Sequence, residues 1–423
     1  MLRTLTLLLA GTGFLAAQET PLKERIKAVR ALEKEGGSAI PKLAAYMDDT
    51  AVEVRREAVR SIVNLGTLES LDPLTRALRD SDPEIQIRAT DGLANFYLPG
   101  YIEQGLTAQL KHTGNVAGLK FNDKCGMAVD PGIVVRREVE EGLTQLLSSA
   151  GSLVVRANAA RAAGALRAKT TLPRLIESLR SKDDALIFES VIAIQKLGDA
   201  SAGHRLIFLL RDLNDRIQSA AIETVGLLRT KEALTDLTRL VESPPSQKTQ
   251  RNALYSLAML ADPSSRPVFE RFFSDKDENL RAAAAEGLGR TAVEGDRARF
   301  KQAFDAEKKM TPRLALAFAA VAAGELDTGE LQPLRYLVNT INSKSWKTVA
   351  LAYLEELARN LDVRIRLADS LNGATREERF GLLQVFGRSG GKELIPSLES
   401  LARDPDPQVA QESLRALRLI RAR

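Results

Sequence analysis

One helical pattern recurs along the chain at a nearly constant interval, and no other feature constrains the fold as strongly. Each copy has an apolar residue, then a marker position (the slot), then apolar or small residues three, seven and ten positions later. The slots fall at residues 55, 86, 156, 187, 218, 250, 281, 313, 347, 378 and 410. Their steps are 31, 70, 31, 31, 32, 31, 32, 34, 31 and 32. Such a period indicates stacked helical units rather than separate globular domains.

Prolines repeat with the same period and mark a second helix in each unit. Proline is tolerated in the first helical turn, where its missing N–H has no intrahelical acceptor. Each proline stands just ahead of an apolar run such as KLAAYM or RLIESL. Their separations of 32, 100, 94, 66 and 63 residues are close to multiples of the slot period, for Pro41, Pro73, Pro173, Pro267, Pro333 and Pro396. We therefore predict an A helix opened by proline and a B helix that contains the slot.

Short polar turns and glycines punctuate these helices. Asp-rich turns such as RDSDP at residues 79–83 separate A from B, and their side chains are expected to cap the B helix. Glycine favours the left-handed conformation that ends many helices. We expect this cap at the ends of B helices, at Gly66, Gly198, Gly324 and Gly387.

The units resemble HEAT repeats of the short bacterial kind, also called PBS-lyase HEAT-like repeats. The resemblance is clearest in IPKLAAYMDDTAVEVRREAVRSIVNLG and in ELIPSLESLARDPDPQVAQESLRALRLI, and it covers most of residues 22–423. It implies an all-α fold, a right-handed α-solenoid of about 10–12 helical hairpins. Armadillo repeats would need about 40 residues per unit, and tetratricopeptide repeats carry a Trp-Leu-Gly signature that is missing here.

The N-terminal residues 1–17 predict a secretory signal peptide. Arg3 precedes an apolar run that ends near Leu15, and small residues precede Gln18. The run is shorter than the roughly 20 residues that cross a bilayer. We expect cleavage after Ala17, a periplasmic or secreted protein, and no stable transmembrane span after cleavage.

The remaining chain divides around the single 70-residue step. We predict HEAT repeats over residues 18–97 and 133–423, with either an insertion or a degenerate repeat over 98–132. Insertions in solenoids emerge as loops on one face, often the binding face.

Composition and motifs speak against several chemistries. The 423 residues include 60 basic and 55 acidic side chains, a net charge of +5, and the two signs are interleaved, so a nucleic-acid footprint is disfavoured. The only histidines are His112 and His204, and Cys125 is the only cysteine. Their spacing cannot build a local zinc site. We therefore predict no catalytic residue, no cofactor and no metal site.

The family resemblance implies that B helices line the concave side of the solenoid. Residues one and five places after a slot are then expected to face outward there. Arginine and aromatic residues, which supply most anchors in protein interfaces, recur at these positions. The predicted partner-binding residues are Arg56, Arg60, Arg251, Tyr255 and Phe318, with Phe121 in the 98–132 segment.

These features predict a non-enzymatic scaffold or adaptor that binds protein partners outside the cytoplasm. One alternative is a lyase or chaperone of the PBS-lyase HEAT-like type, because such repeats are similar to those of phycobilin lyases, which attach a chromophore to cysteine. The export signal argues against that alternative. A second alternative is a nucleic-acid-binding HEAT-like protein, which is weakened by acidic residues at the facing positions, such as Asp91, Glu223 and Glu286.

Overall fold

The computed structural model describes residues 21–101, 127–130 and 132–422. Every regular element in these residues is helical. The chain divides into two units, one ending at Leu197 and one beginning at Gly198. The predicted signal peptide, and Phe121 within the predicted 98–132 segment, lie outside the described residues.

The N-terminal unit alternates short A helices with longer B helices. Its helices are α1 (Leu22–Glu33), α2 (Ile40–Ala45), α3 (Val52–Leu65), α4 (Leu71–Ala77), α5 (Pro83–Tyr97), α6 (Arg137–Ser149), α7 (Leu153–Ala165), α8 (Leu172–Ser178) and α9 (Asp184–Leu197). Helix α1 packs against α3, and the A/B hairpins are α2/α3, α4/α5, α6/α7 and α8/α9.

The C-terminal unit continues the same alternation. It opens with a 3₁₀ helix over Ala200–Arg211, which takes the place of an A helix. The α-helices that follow are α10 (Asp215–Leu227), α11 (Leu234–Glu242), α12 (Gln247–Leu260), α13 (Arg266–Phe272), α14 (Glu278–Arg290), α15 (Asp296–Ala306), α16 (Met310–Ala322), α17 (Pro333–Thr340), α18 (Lys347–Leu357), α19 (Leu361–Asp369), α20 (Arg376–Ser389), α21 (Ile395–Leu401) and α22 (Pro407–Arg421).

Stacking of successive B helices builds the core of each unit. In the N-terminal unit α3, α5, α7 and α9 pack in that order, and in the C-terminal unit α10, α12, α14, α16, α18, α20 and α22 do the same. The apolar positions of the repeated pattern are buried, as Ala58 and Ile62 illustrate, and so is nearly all of α16. The predicted all-α solenoid of helical hairpins is confirmed. Within the described residues, no helix is both long enough and apolar enough to cross a bilayer.

At six of the eleven slots the side chain has a defined structural task. It turns back and donates to a backbone carbonyl at the end of its own A helix, an oxygen that has no partner within that helix. Gln86 Nε2 lies 2.7 Å from the carbonyl oxygen of Asp80, and Arg281 Nη1 lies 2.8 Å from that of Asp275. The same bond recurs at Arg55, Arg156, Gln218 and Gln250.

Two predicted details of the repeat are wrong. The slot expected at Glu378 is filled by Arg379, whose Nε donates to the carbonyl oxygen of Ala374. Glu378 instead bonds the backbone of Thr375 in a capping box at the start of α20. Gly387 lies inside α20 and not at its end, whereas Gly66, Gly198 and Gly324 have the expected positive φ of 56°, 67° and 94°.

Other glycines allow neighbouring B helices to approach closely. A Cβ added at Gly289 would lie 2.7 Å from the Cα of Ala319 on the next B helix. Gly164 against Ala193, and Gly226 against Ser256, show the same closeness at the same position in the repeat. Such distances leave no room for a methyl group unless the helices separate.

The repeats on either side of the 70-residue step are neighbours in space. Helix α5 packs against α7, as B helices do elsewhere in this unit, and α4 contacts α6. Where the chain returns, the backbone N–H of Val129 donates to the carbonyl oxygen of Ala165 at 2.8 Å. Arg167 Nε then donates to the carbonyl oxygen of Val129 at 3.1 Å. These bonds attach residues 127–130 to the end of α7.

Substituting Gly289 with alanine is expected to destabilise the protein. The new methyl group would overlap backbone of α16, and overpacking of this kind costs about 1–3 kcal/mol. The midpoint of urea unfolding should fall for Gly289→Ala. Gly151→Ala is the matched control, because an added Cβ there meets nothing within 4 Å. Equal midpoints for the two variants would contradict the close-packing interpretation.

Substituting the slot residue Gln218 with leucine tests the bond to the A helix. The change leaves the carbonyl oxygen of Leu210 without the amide donor now at 3.1 Å. An unsatisfied buried carbonyl costs about 1–3 kcal/mol, so the free energy of unfolding should drop by that amount. Gln411→Leu on the exposed face of α22 is the control. Unchanged stability in Gln218→Leu would show that this bond contributes nothing.

Candidate functional site

A buried network of charged and aromatic side chains links three B helices of the C-terminal unit. Helix α14 contributes Glu286 and Arg290, α16 contributes Phe318, and α18 contributes Tyr353 and Glu356. The surrounding B-helix positions are mostly alanine, glycine and leucine, so these polar groups are exceptional in this core.

Arg290 is the centre of the network. Its Nε and Nη2 donate to the two carboxylate oxygens of Glu356, each at 2.8 Å, and its Nη1 donates to Glu286 Oε2 at 2.8 Å. The other oxygen of Glu286 accepts a hydrogen bond of 2.7 Å from the hydroxyl of Tyr353. Only 4% of the Arg290 side chain is exposed. A buried pair of this kind is costly to break, since removing one partner costs about 3–5 kcal/mol.

Burial and charge set the protonation of the network. Burial opposes the charge of Arg290, but its bonds to Glu356 and the negative charges of Glu286 and Glu356 outweigh burial and raise the pKa of the guanidinium. Burial raises the pKa of the Tyr353 hydroxyl well above its usual value, and the charge of Glu286 raises that pKa further. The guanidinium therefore stays charged and the phenol stays protonated near neutral pH.

Phe318 forms an aromatic centre beneath this network. The guanidinium carbon of Arg290 lies 4.9 Å from the centroid of the Phe318 ring, a cation–π distance. The ring of Tyr353 lies 4.9 Å from the same centroid, inclined by 31°. Arg290 on α14 extends across the flat ring of Phe318 on α16 and so reaches Glu356 on α18.

A groove of about 330 Å³ opens beside the network. It lies where the C-terminal ends of α14, α16 and α18 meet residues that follow α10 and α12. Arg290, Glu356 and Phe318 form part of its wall, and the remaining lining residues are Arg229, Ala261, Gly289, Val321, Ala322, Leu357, Arg359, Asn360 and Val363. Of the network, Glu356 is the most open member, with 26% of its side chain exposed. The groove thus offers both charged and apolar contacts.

The predicted partner-binding arginines are all engaged in ion pairs. Arg56 binds both carboxylate oxygens of Asp82, at 2.9 and 2.6 Å, and Arg251 Nε lies 2.9 Å from Asp277. Both acids stand at the start of the next B helix. Arg60 pairs with Glu57 at 2.6 Å and with Glu33 at 3.4 Å. These arginines therefore tie neighbouring repeats together, and their role in partner binding stays a prediction.

The predicted aromatic residues are less accessible than expected. Phe318 is only 1% exposed, because Tyr353 and Arg290 cover it, so the expectation that it faces outward is wrong. Tyr255 is partly buried against the core, and burial with the charge of Glu286 raises the pKa of its hydroxyl. Phe121 lies outside the described residues. Whether any of them binds a partner stays a prediction.

The described residues supply no set of metal donors. They contain no group of three or more His, Cys, Asp or Glu side chains arranged to hold a metal ion. His204 is the one histidine in the described part of the chain, and it is exposed.

Sequence reasoning identified Glu286 and Phe318 as facing positions but missed Arg290, Tyr353 and Glu356. Arg290 and Glu356 are 66 residues apart, two repeats along the chain. Each is a common helix residue with no motif around it. The one available signal was a pair of opposite charges, Glu286 and Arg290, one helical turn apart in an alanine-rich helix.

Among curated proteins, the chain is similar to an enzyme. The chain is 25% identical over 256 residues to deoxyhypusine hydroxylase of Drosophila melanogaster, a match that covers 54% of this chain and 84% of the relative. The prediction of a non-enzymatic scaffold, with no enzymatic activity, is therefore wrong. Its error lay in treating the lack of a catalytic motif as a sign of pure binding.

Comparison with solved structures yields other helical-repeat proteins. The complex of CpcE and CpcF of phycocyanin lyase from a Nostoc species matches with a TM-score of 0.41 and 17% identity, over 70% of this chain and 98% of that one. A structure of the interaction between cadherin and beta-catenin matches with a TM-score of 0.38 and 14% identity, over 96% and 93%. Human deoxyhypusine hydroxylase matches with a TM-score of 0.28 and 17% identity, over 60% and 97%. Likeness at this level says nothing about function.

The family profile described as HEAT repeats matches three stretches of the chain. They are residues 15–102, 140–226 and 234–322, together more than half of its length. The matches and the stacked A/B hairpins agree with one another, and the chain belongs to the HEAT-repeat family.

Proposed function

We propose that this chain is an enzyme that modifies a protein side chain, of the lyase or chaperone type. The observation that supports this most is its likeness to an enzyme, deoxyhypusine hydroxylase, along 84% of that enzyme's length. A stacked-helix scaffold provides a long surface on which a polypeptide substrate can lie. The groove beside Arg290 and Glu356 is the site at which we place the modified side chain.

The groove is suited to binding and orientation. Both glutamates of the network are held by Arg290, so neither is a free general base. The Glu356 carboxylate still has lone pairs beyond the two that Arg290 occupies, and these can accept hydrogen bonds from a substrate. A lyase of chaperone type adds a nucleophilic side chain of its substrate protein to a double bond of a second reactant. Holding these two reactants together supplies much of the rate enhancement. Such an addition needs no oxidant.

Hydroxylation is the second candidate, and the named relative favours it. Protein hydroxylation by dioxygen requires a redox centre, commonly iron held by two histidines and a carboxylate. The donor set of the described residues does not fit such a centre, because it has no suitable cluster of His, Cys, Asp or Glu. We therefore derive no hydroxylation step and prefer the lyase or chaperone function.

Glu356→Gln and Ala322→Trp test the enzymatic proposal. The first removes the charge that Arg290 binds, and the second fills the groove from an exposed position outside the network. Intact and peptide mass spectra would be recorded for the proteins of cells that express the full chain or each variant. We expect a side-chain modification on at least one protein with the wild-type chain, and its loss, by about tenfold or more, in both variants.

Glu355→Gln is the matched control, because Glu355 neighbours Glu356 but pairs with Arg388 away from the groove. It should leave the modification unchanged. If no protein changes in mass when the chain is removed, the enzymatic proposal fails. A modification that adds one oxygen atom would instead favour the hydroxylase candidate.

We also propose that the protein is exported, on the strength of the signal-like residues 1–17. Expressed in a bacterium with an outer membrane, the mature protein should appear in the periplasmic fraction and begin at Gln18. Leu8→Arg, which puts a charge into the apolar run, should keep it uncleaved in the cytoplasm. Uncleaved wild-type protein in the cytoplasm would contradict export.

A further inference from the structure

Arg229 occupies a backbone position that favours glycine. It lies eleven residues after its slot, where Gly66, Gly198 and Gly324 stand in other repeats, and its φ is 53°. A residue with a Cβ adopts the left-handed conformation less readily than glycine does. Arg167 and Ala261 adopt the same conformation at the equivalent positions of other repeats, so this position accepts a side chain.

Arg167 has its side chain engaged in hydrogen bonds. It stands at the equivalent position of an earlier repeat with a φ of 52°. Its guanidinium donates to the carbonyl oxygens of Val129 and Lys196, at 3.1 and 3.0 Å. Within the described residues, the side chain of Arg229 forms no hydrogen bond or ion pair, and it lines the groove instead.

Arg359 lines the same groove and, like Arg229, has an unpaired side chain within the described residues. It follows α18 and is exposed, and its side chain has no hydrogen-bond or ion-pair partner in the described part of the chain. Glu286 and Glu356, the two glutamates near the groove, do not neutralise Arg359, because both bind Arg290. Three guanidinium groups and two carboxylates leave an excess of one positive charge, and Arg229 and Arg359 are the cations that remain available.

The groove also has an apolar part of its lining, here called its floor. Phe318, Val321, Leu357 and Val363 line the groove and are almost fully buried from solvent. A ligand that fits must therefore bring both negative charge and an apolar group. Arginine binds carboxylates in a planar, two-bond geometry, which makes carboxylates the matching anions.

We propose that the groove binds an acidic segment of the protein substrate, with carboxylates on Arg229 and Arg359 and an apolar side chain on the floor. This inference rests on the proposed function, whose substrate class it names. Besides the modified side chain, the same groove holds the residues that flank it. Its volume of about 330 Å³ accommodates a few residues of a peptide and not a folded domain.

Peptide binding to the full chain tests the inference. The probe is a labelled peptide that alternates Glu with Leu, and its match has Gln in place of Glu; binding is measured by fluorescence anisotropy. Wild-type protein should prefer the Glu peptide. Arg229→Gln and Arg359→Gln should each weaken that binding by about fivefold, the upper range for a partly exposed ion pair. Arg205→Gln, an equal loss of charge at an exposed site away from the groove, should leave it unchanged.

Each further outcome decides one claim. Equal binding of the Glu and Gln peptides, or an equal loss in Arg205→Gln, would overturn the acidic-segment inference. Duplex DNA is a further probe. If it binds as tightly as the Glu peptide, and the same two variants lose this binding, the groove binds polyanions in general and the inference is overturned. If the Glu peptide does not bind while side-chain modification persists, the inference fails and the proposed function stands. If the peptide binds as expected but no protein is modified, the groove assignment stands and the proposed function fails.

Discussion

A helical hairpin of this chain cannot cover its own apolar face, and only the next hairpin in the sequence covers it. The B helices in each unit are consequently packed one against another, with alanine and glycine at the contacts. Gly289 against Ala319 is one such contact, and its closeness leaves little tolerance for added atoms. Stability in this fold arises from nearest-neighbour packing, so each repeat depends on the one beside it.

Close packing of many short helices creates many helix ends, and each end has backbone groups without partners. The repeat solves this with its own side chains. Slot residues such as Gln86 and Arg281 bind carbonyls at the end of the A helix, while Asp82 and Asp277 accept N–H groups at the start of the B helix. Arginines then join these aspartates across repeats. Many charged side chains of the described residues are thus paired between neighbouring repeats.

The network around Arg290 departs from this pattern. Ion pairs such as Arg56–Asp82 and Arg251–Asp277 join adjacent hairpins, whereas Arg290 reaches Glu356 two repeats away across the ring of Phe318. Its three hydrogen bonds and high pKa fix the wall of the groove at neutral pH. A rigid wall with Arg229 and Arg359 beside it is the arrangement on which the proposals for substrate binding depend.

The period of 31 to 34 residues, the prolines and the capping residues were enough to predict the helix order and the solenoid, because these depend on spacing along the chain. A one-residue error at Glu378 and a misplaced cap at Gly387 arose where the pattern is degenerate and either register buries apolar residues. The sequence by itself also selected Phe318 and Glu286 but could not place them in one site. Only the tertiary structure brought Arg290, Tyr353 and Glu356 to them, since which side chains meet across two repeats is set by the packing distance and rotation between hairpins, and a linear pattern does not encode these quantities.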